Sequence, residues 1–173
     1  GWHFGPSAFA GAATWADGST GRVGPVSAEN SLVGTVFNQV VCNGVVALAN
    51  GNYVVRSAGW VDGALQQFGY AVTWGNGATG LVDKVTPQNS LVGKPDDRIG
   101  IGGILTLANG NYVVLSPLWR NFGQPDAGAA TWGSGTAGVA GWTPAPNPPL
   151  GSVNGASVGA LGTALPAGGY AVA

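Results

Sequence analysis

Charge is scarce in this chain of 173 residues: six Lys and Arg against seven Asp and Glu make up 8% of it, where a typical soluble domain carries roughly 25%. A net charge of −1 leaves no basic stripe for a nucleic acid and no cationic face for an anionic membrane, so neither is expected as a partner. A single cysteine, Cys42, rules out an intramolecular disulfide. Its neighbours Val40, Val41, Val45 and Val46 predict a small buried hydrophobe. Asn and Gly interrupt every apolar stretch, so none approaches the ~18 residues of a membrane-spanning helix. Methionine is missing, as is any charged-then-apolar leader, and the sequence reads as a processed or excised piece of a longer product.

Chemistry-bearing residues are equally thin. His3 is the one histidine, and the matching positions of the other repeats hold Val61 and Arg120. A Ser-His-Asp or Cys-His arrangement would have to use it. The carboxylates Asp17, Glu29, Asp62, Asp83, Asp96, Asp97 and Asp126 include none that recurs in all three repeats, so no glycosidase pair stands out. The turns Asp17-Gly18-Ser19, Asn76-Gly77-Ala78 and Ser134-Gly135-Thr136 do not match the calcium-binding nonapeptide. No glycine loop leads into a helix to cradle phosphate. The reading is of a protein without catalytic residues, metal or cofactor.

What the chain does have is a repeat. Ala49-Asn50-Gly51-Asn52-Tyr53-Val54-Val55 returns as Ala108-Asn109-Gly110-Asn111-Tyr112-Val113-Val114, and a worn form, Pro166-Ala167-Gly168-Gly169-Tyr170-Ala171-Val172, comes third. The tyrosines are 59 and then 58 residues apart. Trp15, Trp74 and Trp132 keep that step, as do Trp2, Trp60 and Trp119, and so do Asn30, Asn89 and Asn147. Such a period is the mark of propellers, solenoids and arrays, whose units bury their apolar faces only against neighbours. Repeat boundaries fall near 1–58, 59–117 and 118–173. Ala173 stands in the register of Arg56 and Gly1 in that of Gly59. The chain is therefore three units less two residues, cut from a longer array or closed so that its ends lie side by side.

With 32 glycines and 11 prolines, turns dominate and helix is not expected. In the second repeat, Val45 to Leu48 precedes Asn50-Gly51, the strongest short hairpin signal, and Tyr53 to Ser57 follows with β-branched and aromatic residues. Tyr70 to Trp74 and Ser90 to Gly93 supply a third and a fourth strand, and Gly59 to Gly69 is read as the longest loop. The expected fold is all-β, with three tandem repeats of about four strands each, as β-propeller-like blades. A β-solenoid, a β-trefoil and a β-prism are the alternatives.

The tryptophans divide by role. Trp15, Trp74 and Trp132 each close a Thr-Trp strand before a glycine turn, as wedges between neighbouring sheets would. Trp2, Trp60 and Trp119 open the long loop beside small or polar residues, with Asp62 and Asn121 adjacent. They are the candidate binding residues, in the manner of aromatic faces that stack on sugar rings.

Leu-Ala-Asn-Gly-Asn-Tyr-Val-Val, Ala-Val-Thr-Trp-Gly-Asn-Gly and Asn-Ser-Leu-Val-Gly resemble the tandem repeats of very large secreted bacterial surface proteins of the filamentous haemagglutinin type, over nearly the whole chain. The resemblance implies a location on or outside a bacterial cell and a role in adhesion or matrix. The expected function is a non-catalytic extracellular repeat module of a surface or filament-forming protein, whose partners are other copies of the same repeat or chain. The alternative is a lectin-like module that binds surface glycans through Trp2, Trp60 and Trp119.

Overall fold

The computed structural model describes residue 2 and residues 10–34, 40–61, 68–143 and 149–173. Asn50-Gly51 does what its chemistry dictates: Gly51 takes a positive φ of 85°, a conformation open to glycine at no steric cost. The turn joins β3 (Val40–Ala47) to β4 (Tyr53–Val61), which pair antiparallel. Antiparallel to β4 runs β5 (Phe68–Gly75). After a two-residue strand, β6 (Asp83–Lys84), the chain adds β7 (Ser90–Val92) to the far side of β5. The run β3-β4-β5-β7 is a four-stranded antiparallel meander, matching the four strands expected of one repeat.

The same meander recurs in pieces along the chain. Ahead of it, β1 (Ala12–Thr14) pairs with β2 (Ser31–Val33), the counterparts of β5 and β7. Behind it, β8 (Gly103–Thr106) and β9 (Tyr112–Ser116) form the hairpin, and β10 (Ala129–Gly133) pairs with β9. Leu150 bridges to Ala129 where a fourth strand would lie. Last, β12 (Gly162–Ala164) and β13 (Tyr170–Val172) make a hairpin that forms a two-stranded sheet among the described residues. Its turn keeps the shape of the other two, the Gly168 N–H donating to the Leu165 carbonyl at 3.0 Å as the Gly51 and Gly110 N–H groups do to Leu48 and Leu107.

Two short parallel pairings cross the repeat boundaries. Strand β6 lies beside β2, and β11 (Gly141–Trp142) lies beside β7. Sheets also stack face to face, with an apolar cluster in each gap. Leu32, Val41, Val55, Ala71 and Val92 fill the gap between the first two sheets. Val54, Val72, Leu91, Tyr112 and Val114 fill the next, and Val113, Leu115, Ala130 and Val172 the last. Consecutive residues of β4 and β9 thus face opposite neighbours, which is why these strands read as unbroken apolar runs. Each fully buried valine or leucine is worth roughly 1.5–3 kcal/mol. Among the described residues the sheets do not close on one another, and β13 pairs with β12 alone.

Three expectations need adjustment. Strand β3 starts at Val40 rather than Val45, with a break in register between Val40 and Gly44 where Cys42 adopts φ 65°. Cys42 is half-buried, and Val41 is the residue that enters the core. Strand β4 continues through Trp60 to Val61, which pair with Gly69 and Phe68. The positive φ of Gly59 (71°) sits at a register shift that carries the strand into the expected loop. Among the described residues the one helical element is a 3-10 turn, Pro95–Asp97.

Candidate functional site

The three wedge tryptophans join one sheet to the next. The Trp15 indole donates to the carbonyl of Gly77 at 2.9 Å and packs over Gly80. Trp74 repeats both contacts one sheet further on, donating to Gly135 at 2.9 Å and packing over Gly138. Trp132 is 48% exposed and finds no acceptor among the described residues.

Asparagines of the hairpin turns hold the same junction. The Asn52 Oδ1 accepts the Gly77 N–H at 2.9 Å, while the Nδ2 groups of Asn50 and Asn52 both donate to the Gly135 carbonyl, at 2.8 and 2.7 Å. The Asn111 Oδ1 accepts the Gly135 N–H at 2.9 Å. Gly110 lies against the Asn50 side chain and Gly168 against Asn109, so the hairpin turns stack in a column. The sequence reads these asparagines as turn formers; their second use, bonding the neighbouring glycine turn, has its signal in the doubled Asn-Gly-Asn.

Two of the candidate binding tryptophans lie deeper, while Trp2 is partly buried. Trp60 is 4% exposed and Trp119 3%. The Trp60 indole donates to Val85 O at 2.9 Å and the Trp2 indole to Val26 O at 2.8 Å, one bond used in two repeats. Backbone geometry repeats too, with Ala10 N–H donating to Trp2 O and Gly128 N–H to Trp119 O. Beside Trp119, the Asn121 Nδ2 donates to Gly151 O at 2.8 Å. Asp62, His3 and Asn147 lie outside the described residues. Asn30 and Asn89, the markers at the strand corners, tie those corners together: each Oδ1 accepts a backbone N–H three residues back at 3.0 Å.

Trp119 does edge a groove of about 410 Å³, together with Lys94, Asp96, Asp97, Arg120, Phe122 and Thr143. Its rim is charged and aromatic. Arg120 pairs with Asp96 at 3.3 Å with both side chains largely in solvent, and Phe122 is 99% exposed. Asp97, buried below the rim, accepts the Lys94 N–H at 2.8 Å and the Arg120 N–H at 3.3 Å, and burial raises its carboxyl above the usual range. A planar guanidinium, a carboxylate and an aromatic face are groups that hydrogen-bond and stack on polar ring ligands. The sequence does not single out Phe122 or Arg120, since neither recurs in the other repeats. Among the described residues no group of three or more His, Cys, Asp or Glu is placed to hold a metal ion, and no helix is long and apolar enough to cross a membrane.

No curated protein and no solved structure matches the chain. A family of sequences, described as a repeat of unknown function (DUF5650), matches at residues 1–43, 47–101 and 106–160. Three matched stretches across most of the chain agree with the three repeats of tryptophan, asparagine and glycine that build the sheets, and the chain belongs to this repeat family.

Proposed function

We propose that the chain is a non-catalytic extracellular repeat module of a bacterial surface or filament-forming protein, with a structural and adhesive role. One observation carries this reading: the residues that recur from repeat to repeat are used in contacts between or within sheets. Trp15 and Trp74 bond to glycine turns of the next sheet, Asn52 and Asn111 bond to the same turns, and Trp2 and Trp60 bond to strand corners. A repeat selected for a shared ligand would instead present its recurring residues around a pocket. The low charge and the resemblance to haemagglutinin-type repeats support an extracellular bacterial setting.

The groove at Trp119 favours a second reading, a lectin-like module that holds a surface glycan between Phe122, Arg120 and Asp96. Calorimetric titration with a panel of soluble glycans separates the two. The structural reading expects no saturable heat. Saturable binding that is lost in Phe122→Ala and Arg120→Ala, both at exposed positions where the fold tolerates change, overturns it in favour of the lectin.

A further inference from the structure

Asn121 and Gln124 exchange both backbone hydrogen bonds, at 3.1 and 2.8 Å, so Phe122 and Gly123 are the two residues of a closed hairpin turn. Both take a positive φ, 44° and 91°, the type I′ turn that favours Asn-Gly. A phenylalanine in the first position bears left-handed strain, and its ring is 99% exposed. A strained aromatic that buries almost nothing in its own fold points to a contact outside it. The base of the turn is held firmly: Asn121 Nδ2 donates to Gly151 O at 2.8 Å, and the Gly155 N–H donates to Pro125 O at 3.1 Å.

Phe122 borders the groove of about 410 Å³, whose lining comes from Lys94 and Pro95 on one segment, Trp119 and Arg120 on another, and Thr143. Asp97 ties the first two segments together, since its carboxylate accepts the backbone N–H groups of Lys94 and Arg120. The groove is thus shaped in advance of any contact, and it exceeds the ~150 Å³ that holds a benzene ring. Its rim carries one charge of each sign, Arg120 and Asp96, 3.3 Å apart and largely in solvent.

We propose that a second copy of this chain docks on this face about a two-fold axis, the Phe122 ring of each copy entering the groove of the other. The face is self-complementary, because knob and groove adjoin on it and its rim bears one cation and one carboxylate. A half-turn sets Arg120 of each copy against Asp96 of the other, so the internal pair of each chain is exchanged for a pair across the contact. The exposed charges set the register, and the two buried rings supply the affinity. This deepens the structural reading above and rests on it: the contact is the adhesive one, joining neighbouring surface chains side by side. Phe122 and Arg120 occur in one repeat of the three, so each chain offers this contact once.

Sedimentation velocity without glycan, from micromolar to submillimolar chain, tests the proposal. The expected result is reversible exchange between a monomer and a species of two 17.1 kDa chains. Phe122→Asn puts the favoured residue into the turn and removes the ring. It weakens the dimer by ~30-fold or more, while the melting temperature in dilute solution holds or rises; a ring with a merely structural role would lower it. Arg120→Glu and Asp96→Arg each set like charges across the contact, and each alone is monomeric. Mixed one to one, they form a heterodimer, because every altered charge then meets its opposite on the other chain. The proposal is overturned by a wild-type chain that stays monomeric, by association that survives Phe122→Asn or grows past two chains, or by a mixture that fails to associate. Each of these leaves the structural reading standing, because that reading falls only on saturable glycan binding.

Discussion

Trp74 donates its indole N–H to the carbonyl of Gly135, 61 residues further along, at 2.9 Å. The bond spans two sheets, and the same bond joins Trp15 to Gly77. Trp132, third in the series, has no indole hydrogen bond among the described residues and is 48% exposed. One sequence position therefore meets two environments, which makes the contribution of the contact measurable within a single chain.

Trp74→Phe keeps the aromatic bulk and removes the donor, leaving the Gly135 carbonyl with the two asparagine bonds. The expected loss is about 1 kcal/mol. Trp132→Phe, at low protein concentration, changes stability by less than ~0.5 kcal/mol. Urea unfolding with an unchanged m-value checks the pair.

The glycine turns give a sharper contrast. Gly135→Ala drives a methyl into the Gly110 carbonyl, where backbone has to move, and costs about 3 kcal/mol or more. Gly18→Ala at the matching turn meets open space and is neutral in the monomer. Thermal melts of the two variants read the difference directly.

A hydroxyl pair gives a third test. Thr73 Oγ1 and Ser90 Oγ are 2.7 Å apart, as are Thr14 Oγ1 and Ser31 Oγ. In the third repeat the serine position is Pro148, which has no hydroxyl, and the buried Thr131 Oγ1 has no partner among the described residues. Thr73→Val is expected to destabilise by about 1 kcal/mol, and Thr131→Val to be neutral or stabilising, because it deletes an unsatisfied buried polar atom. Opposite signs in paired denaturation curves check it.

Alkaline pH isolates Tyr112. Burial pushes its phenol up to about 12 from an ordinary value near 10. Above pH 10 the unfolded chain loses this proton while the folded one keeps it, so stability present below pH 10 is lost as pH rises towards 12. The loss is up to about 2–3 kcal/mol for a shift of this size. Tyr112→Phe removes this component of the pH dependence, leaving a shallower fall in a titration of the urea midpoint between pH 9 and 11.

Much of this architecture is legible in the residues. The tyrosine, tryptophan and asparagine steps mark the repeats, and Asn50-Gly51 and Asn109-Gly110 locate two hairpins without further help. The worn third turn keeps its shape because Gly168 retains the positive φ after both asparagines are gone. Strands β6 and β11 are hidden, since two residues carry no periodicity and their parallel partners lie in the preceding repeat. The run of β4 past Ser57 is hidden as well, because the glycine that reads as a loop start, Gly59, is a bulge within the strand. The Thr-Trp context of Trp15 marks it as a wedge between sheets, whereas the loop-like context of Trp60 points to a ligand face. Only packing tells that Trp60 is buried and bonds to a strand corner. The Trp119 groove draws on unrepeated residues, Phe122 and Arg120, which a search for recurring markers passes over.

The central claim is that the wedge tryptophans join sheet to sheet and leave one position open. Hydrogen exchange of the indole N–H signals, followed by NMR in dilute solution, tests it most directly. The account predicts slow exchange for Trp15 and Trp74 and fast exchange for Trp132. Equal protection of all three, or fast exchange at Trp74, would contradict it.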